Sequence, residues 1–251
     1  SRIFLQNLKR KNDPNKPGRY SLADLSASDI QSKEPTFTSR QTVIRLDGGV
    51  QQIKLQDNEV TSFNVNNGNN TFGIVKDLGV DPDASEWKKV LLPWTVRDSA
   101  DDSKFKAFNK EENNDNKPKY SQKYRSRDNN NRDLGDIVNS PIVAVGGYLA
   151  TAANDGMVHI FKKNGGSDER SYNLKLSYIP GTMPRKDIQS QDSTLAKELR
   201  AFAEKGYVGD RYGVDGGFVL RKVERNGKDH VFMFGAMGFG GRGAYALDLT
   251  K

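Results

Sequence analysis

Tyr148-Leu-Ala-Thr-Ala-Ala-Asn-Asp-Gly-Met-Val-His-Ile-Phe-Lys162 is the stretch whose reading decides the fold. It begins as a β-prone run, finishes in small residues, turns at Asn154-Asp155-Gly156 and leaves through the apolar Met157–Phe161. Val231–Asp248 (VFMFGAMGFGGRGAYALD) is of the same kind: a strand ending in small residues, a glycine turn, an alternating strand and a polar stop. Weak self-similarity built on four-stranded units of about 40–45 residues is the signature of a β-propeller. The glycines let inner strands crowd together and supply turns that need positive φ.

Moving outward, Ile137-Val138 and Ser140–Val145 lead through Gly146-Gly147 into the first stretch. Phe218–Val223, a turn at Asn226-Gly227, and His230–Phe234 precede the second glycine loop, and Ala244–Leu249 follows it. Asn-Gly between β-prone runs is a strong hairpin signal. Between the two stretches, Thr194–Lys205 places Leu195, Leu199 and Phe202 on one helical face and ends at Gly206, a left-handed cap residue. Upstream, Thr42–Leu46 and Val50–Leu55 flank Asp47-Gly48-Gly49, and Val60–Val65 and Thr71–Val75 flank Asn66–Asn69, so two hairpins are expected. Asp83-Ala-Ser-Glu86 reads as a helix start, with Trp87, Val90 and Leu91 in the helix and a stop before Pro93.

The remaining chain is polar. Residues 9–41 carry Pro14, Pro17, Gly18 and Pro35 and read as loop with short elements at most. Residues 98–132 offer only Phe105, Phe108, Tyr120 and Tyr124 as anchors and read as a flexible insertion, since compact domains rarely need loops beyond about 12–15 residues. These segments explain a composition of 35% hydrophobic residues over 251 positions and a mean hydropathy of −0.76. Globular chains run at roughly 45–50% apolar with glycine included. The organisation expected is 1–41, a polar N-terminal segment; 42–97, a β-rich blade region; 98–132, the insertion; and 133–251, the clearest blades, all within one propeller domain.

Composition and motifs exclude much chemistry. The absence of cysteine removes disulfides, thiol catalysis and Cys-type zinc sites. The net charge of +7 raises nucleic acid as a partner, but Lys and Arg are scattered. The densest stretch, 104–133, is diluted by Glu111, Glu112, Asp115 and Asp128, and no nucleic-acid-binding motif is present. A solvated surface of mixed charge accounts for it. No apolar run reaches the roughly 18 residues of a membrane helix. Gly235–Gly243 contains a GxGGxG, yet it lies between strands, so no helix N-terminus awaits a pyrophosphate. Asn154-Asp155-Gly156 lacks the alternating carboxylates of a calcium loop, and Asp128, Asn130, Asp133 and Asp136 form only a loose oxygen cluster. His159 and His230 each sit in a strand among apolar neighbours, the setting of a satisfied sheet histidine. No nucleophile–base pair emerges, and no enzyme is expected.

The order of motifs is itself informative. Asp133-Leu-Gly-Asp-Ile-Val-Asn-Ser-Pro141, Ala153-Asn-Asp-Gly-Met-Val-His-Ile-Phe161, Tyr178-Ile-Pro180, Tyr207–Gly217 (YVGDRYGVDGG) and Met237–Thr250 (MGFGGRGAYALDLT) occur at fitting spacing. Together they resemble the PilC/PilY family of type IV pilus proteins, strongly over 133–251 and more weakly over 36–98. NSPIVAVG, PGTMPRKD and GDRYGVDGG resemble the PilC adhesin branch. The resemblance implies an all-β, partial β-propeller of quinoprotein-like kind, with one or two short helices and long polar insertions. It implies a part in pilus biogenesis, opposing retraction, and in adhesion to host cells. The implied partners are pilin or minor pilin subunits and a host-cell receptor, without nucleic acid or a transmembrane segment. The implied location is exported, at the outer membrane, pilus tip or cell surface.

The family's calcium loop normally follows the strand equivalent to Gly241–Asp248, so it is expected downstream of Lys251, with no cofactor or metal residue in this segment. Asn154, Asp155, Gly156, Asp215, Gly216 and Arg242 stand at family-motif positions and are expected to be structural. Two other functions compete. A quinoprotein-like dehydrogenase would need a stacking Trp, a base and calcium ligands, and only Trp87 and Trp94 exist. A basic nucleic-acid-binding module rests on charge alone.

Overall fold

The computed structural model describes residues 3–5, 9–10, 20–21, 25–35, 40–57, 59–65, 87–96, 110–111, 114–118, 134–164, 172–182, 195, 199 and 213–250. In chain order its elements begin with β1 Lys9–Arg10, β2 Tyr20–Ser21, α1 Ala27–Ser32, β3 Gln41–Leu46, β4 Gly49–Gln52, β5 Leu55–Gln56, β6 Glu59–Val60 and α2 Leu92–Val96. They continue with β7 Lys110–Glu111, β8 Asn114–Pro118, β9 Val143–Val145, β10 Tyr148–Ala152, β11 Val158–Lys163, β12 Tyr172–Ile179, β13 Phe218–Arg225, β14 Lys228–Ala236 and β15 Ala244–Asp248.

The strands β9 to β12 form an antiparallel meander, the four-stranded unit of a blade. Val145 pairs with Tyr148 across Gly146-Gly147, both at positive φ, a two-residue turn whose twist matches the strands it joins. The same device joins β13 to β14, where Asn226 and Gly227 take φ 54° and 69° between Arg225 and Lys228. Strands β13, β14 and β15 make a second antiparallel sheet in sequence order. The fold is all-β, a partial propeller.

Every residue of β10 is buried. Tyr148, Ala150 and Ala152 join the main core with Ile44, Trp87, Met157, Ile179 and Met233, while Leu149 faces a smaller cluster with Ile3, Leu134, Phe161 and Leu174. Burial on both faces explains why this strand is apolar but for Thr151 rather than alternating. β13 and β14 differ: Phe218, Leu220, Val231 and Met233 are buried, while Val219, Val223 and Phe234 on the opposite face are exposed.

Several local expectations differ from the structure. The run expected as one strand from Val50 to Leu55 is divided, because the Ile53 N–H bonds the Thr42 carbonyl at 2.8 Å and the Lys54 N–H bonds Ser62 Oγ at 3.0 Å. Leu55–Gln56 then pairs with Glu59–Val60, and 61–65 are not strand; the turn and second arm of the hairpin expected from Val60, residues 66–75, lie outside the described residues. The helix does not stop before Pro93. A π-helical turn over Trp87–Leu91 runs into α2, opening the backbone where an α-helix would press the proline ring on the Lys89 carbonyl. The Arg40 guanidinium closes α2 by bonding the carbonyls of Thr95 and Val96 at 3.2 and 2.9 Å.

β12 was not among the expected strands, nor was its pairing with β3, which is parallel and places β3–β4 on the blade's outer side. The segment expected as a flexible insertion includes the β7–β8 hairpin. Of the expected helix at 194–205, Leu195 and Leu199 are described; both are helical and buried.

Candidate functional site: a buried polar clasp

The turn between β10 and β11 gathers the polar groups that the apolar core cannot satisfy. Asp155 Oδ1 accepts the Met157 N–H at 3.1 Å, an Asx-type turn that leaves Gly156 at φ 81°. Its Oδ2 accepts the Gly135 N–H at 2.9 Å and lies 2.8 Å from His159 Nε2. His159 Nδ1 lies 2.8 Å from Ser177 Oγ on β12. An ionised carboxylate only accepts, so His159 Nε2–H donates to Asp155 and Nδ1 is left facing the Ser177 hydroxyl.

Asp, His and Ser thus stand in the hydrogen-bonding order of a nucleophilic triad. Their exposures of 2%, 0% and 0% decide against that use: no substrate reaches the serine. The same bonds satisfy three polar side chains inside a sheet, which is what a buried network requires.

The clasp extends toward the second sheet. Asn154 donates its N–H to the Asp136 carbonyl at 2.9 Å, and its Oδ1 accepts the Gly213 N–H at 3.1 Å. The Val214 N–H bonds the Ala153 carbonyl at 3.2 Å. One residue on, Asp215 accepts both 3.0 and 3.2 Å bonds from Asn139 Nδ2, while its own N–H bonds the Met237 carbonyl at 3.2 Å. Gly216 lies so near the Ala236 carbonyl and the Gly238 amide nitrogen that a side chain has no room. The chain before β9, the β10–β11 turn, the chain before β13 and the β14–β15 loop are therefore tied at one place.

Of the six family-motif positions, Asn154, Asp155, Gly156, Asp215 and Gly216 converge there, and Arg242 is exposed outside the clasp. His159, Ser177 and Asn139 belong to it but were not on that list. The Gly238–Gly240 turn is a single 3-10 turn between β14 and β15. No three His, Asp or Glu residues converge as a metal site among the described residues; of the loose oxygen cluster, Asp136 alone is described. Trp87 is fully buried and offers no face for a cofactor to stack on. Among the described residues no helix is long and apolar enough to cross a membrane.

The buried polar groups of this partial propeller thus bond one another. Residues 134–251 match the PilY1 beta-propeller domain family. These are 118 of the 251 residues, a little under half of the chain. It is also similar to the type IV pilus biogenesis factor PilY1 of Pseudomonas aeruginosa, at 28% identity over 167 residues, covering 54% of this chain and 12% of that protein. The chain thus spans a small part of its curated relative. No solved structure matches it.

Proposed function

We propose that this chain is a non-enzymatic, type IV pilus-associated module that acts in pilus biogenesis and in adhesion to host cells. The observation that carries the proposal is the match of residues 134–251 to the PilY1 beta-propeller domain. The clasp agrees with it, because its only triad-like array is sealed from substrate. The mechanism is display: a rigid sheet scaffold holds loops and strand edges against pilin subunits or a host surface, outside the cell. Opposing retraction follows if the module remains attached to the pilus while it binds.

The polar 98–132 insertion is the loop to test. Deleting residues 104–130 from the full-length protein, in cells that make type IV pili, leaves secretion and protease resistance intact and lowers piliation or host-cell binding. Unchanged piliation and binding would count against the proposal.

A further inference from the structure

The loop between β14 and β15 carries a ring that the core does not use. Phe239 is 78% exposed, the most exposed large apolar side chain among the described residues. The loop beneath it is held on all sides. Met237 is completely buried, and its carbonyl accepts the N–H groups of Asp215 and Gly240 at 3.2 and 3.1 Å. Its own N–H bonds the Gly243 carbonyl at 3.2 Å. Gly238 takes φ 60°, and a Cβ there would lie 2.6 Å from the Gly216 amide nitrogen; a Cβ on Gly240 would fall on the Gly213 carbonyl. Both glycines therefore press backbone against backbone, and the ring between them is fixed in water. A loop already ordered in the free protein has little conformational freedom left to lose on binding.

The same end of the sheets shows more apolar surface. Val138 and Ile142, 48% and 56% exposed, belong to the segment before β9. That segment is tied down by Asn139, which bonds Asp215, and by Ser140 Oγ, which accepts the Ala152 N–H at 2.9 Å. Asp215 also bonds Met237, so the two segments meet through one residue. The single charge of residues 237–243 is Arg242, three positions beyond Phe239 and exposed. Asp155 and Asp215 in the clasp are buried and Asp136 is half-buried, so the exposed sign is that of Arg242. Aromatic residues and Arg are enriched at protein interfaces, and a few such anchors carry most of the binding energy.

We propose that Phe239 is the anchor of a docking surface for the pilus fibre. The ring enters an apolar pocket on the pilin surface, Arg242 faces a carboxylate at the pocket's rim, and Val138 and Ile142 exclude water at its edge. This rests on the pilus-associated reading above and adds to it the surface that makes the contact. A glycan would need several hydrogen-bonding side chains, and residues 237–243 offer Arg242 alone; a folded protein surface suits a fixed ring with one cation.

Co-sedimentation of the full-length protein with sheared, purified type IV pili tests this. Phe239→Ala weakens binding about tenfold or more, and Phe239→Leu weakens it less. Arg242→Glu weakens it chiefly at low salt. All three keep the parent's melting temperature, because the substituted side chains stand in water. If the parent sediments with pili and Phe239→Ala sediments equally well, the inference is overturned and the pilus-associated reading stands. A parent that does not sediment with pili overturns both. A binding loss in Phe239→Ala that comes with a lower melting temperature would make the ring a packing residue and overturn the inference. Unchanged sedimentation beside lost host-cell binding would assign the ring to the host surface and overturn it too.

Discussion

Gly216 and Gly217 are adjacent and have opposite tolerances. A methyl on Gly216 would meet the Ala236 carbonyl oxygen and, at 2.6 Å, the Gly238 amide nitrogen, both backbone atoms that cannot swing aside. Nothing lies within 4 Å of the corresponding point on Gly217. Gly216→Ala is expected to cost about 2–3 kcal/mol through overpacking, and Gly217→Ala to lie within about 0.5 kcal/mol of the parent, both read from denaturant midpoints. Asp155 gives a second contrast at this scale. Asp155→Asn replaces an acceptor-only group by one that must point its N–H₂ either at the Met157 amide or at the Gly135 amide and His159. The expected loss is about 2–3 kcal/mol, because a buried donor is left unsatisfied. A midpoint unchanged from the parent would show that the clasp carries no stability. At α1, Ser26 and Asp29 cap one another through a 2.6 Å hydroxyl bond and a 3.0 Å bond from the Ser26 N–H. The Ser26 hydroxyl first, then the Ser26 N–H, holds the Asp29 carboxyl below its ordinary value. A depressed carboxyl favours the fold above its unfolded pKa, and that contribution is lost as pH falls through the folded one. Ser26→Ala should therefore raise the Asp29 pKa in an NMR titration.

β3 joins the blade by parallel pairing with β12, and Ile44, opposite Ile179, is completely buried there. Ile44→Ala is expected to cost about 2–4 kcal/mol, whereas Val50→Ala on β4, 54% exposed, should change little. If β3–β4 and the blade form one cooperative unit, Ile44→Ala lowers a single shared transition; a separate early transition would show an independent hairpin. This pairing also marks where sequence legibility ends. Hairpins could be read because their turn chemistry is local: Gly146-Gly147 and Asn226-Gly227 hold the very φ values those residues favour. β12 lacked such punctuation, and Lys175 and Ser177 interrupt its apolar run; Ser177 is spoken for by His159 only after folding. The β3–β12 contact joins Gln41 to Leu176, a separation over which no local pattern acts. For the same reason, the motif positions of the clasp could be named from the resemblance, while Asn139 as the partner of Asp215 required the fold. Pro93 was read as a stop because an α-helix excludes it, and the π turn ahead of it evades that rule.

Across the whole chain, charge and apolar surface act against each other. The net charge of +7 repels copies of the chain at low ionic strength. The outward face of the β13–β15 sheet attracts them: Val219 and Phe234 are cross-strand partners, each 49% exposed, and Phe234, Phe232 and His230 stack along β14 at 6.4 and 6.0 Å. A contiguous apolar patch of this kind drives association once repulsion is screened, and salt at about 0.15 M already shortens the reach of charge to about 8 Å. This chain is therefore expected to self-associate more as salt rises, the reverse of an assembly held by ion pairs. Phe234→Lys should suppress that rise in light scattering while leaving the unfolding midpoint nearly unchanged, because the side chain is half in water before substitution. Scattering that falls with salt, or that Phe234→Lys leaves untouched, would place the attraction in charged loops instead of on this sheet face.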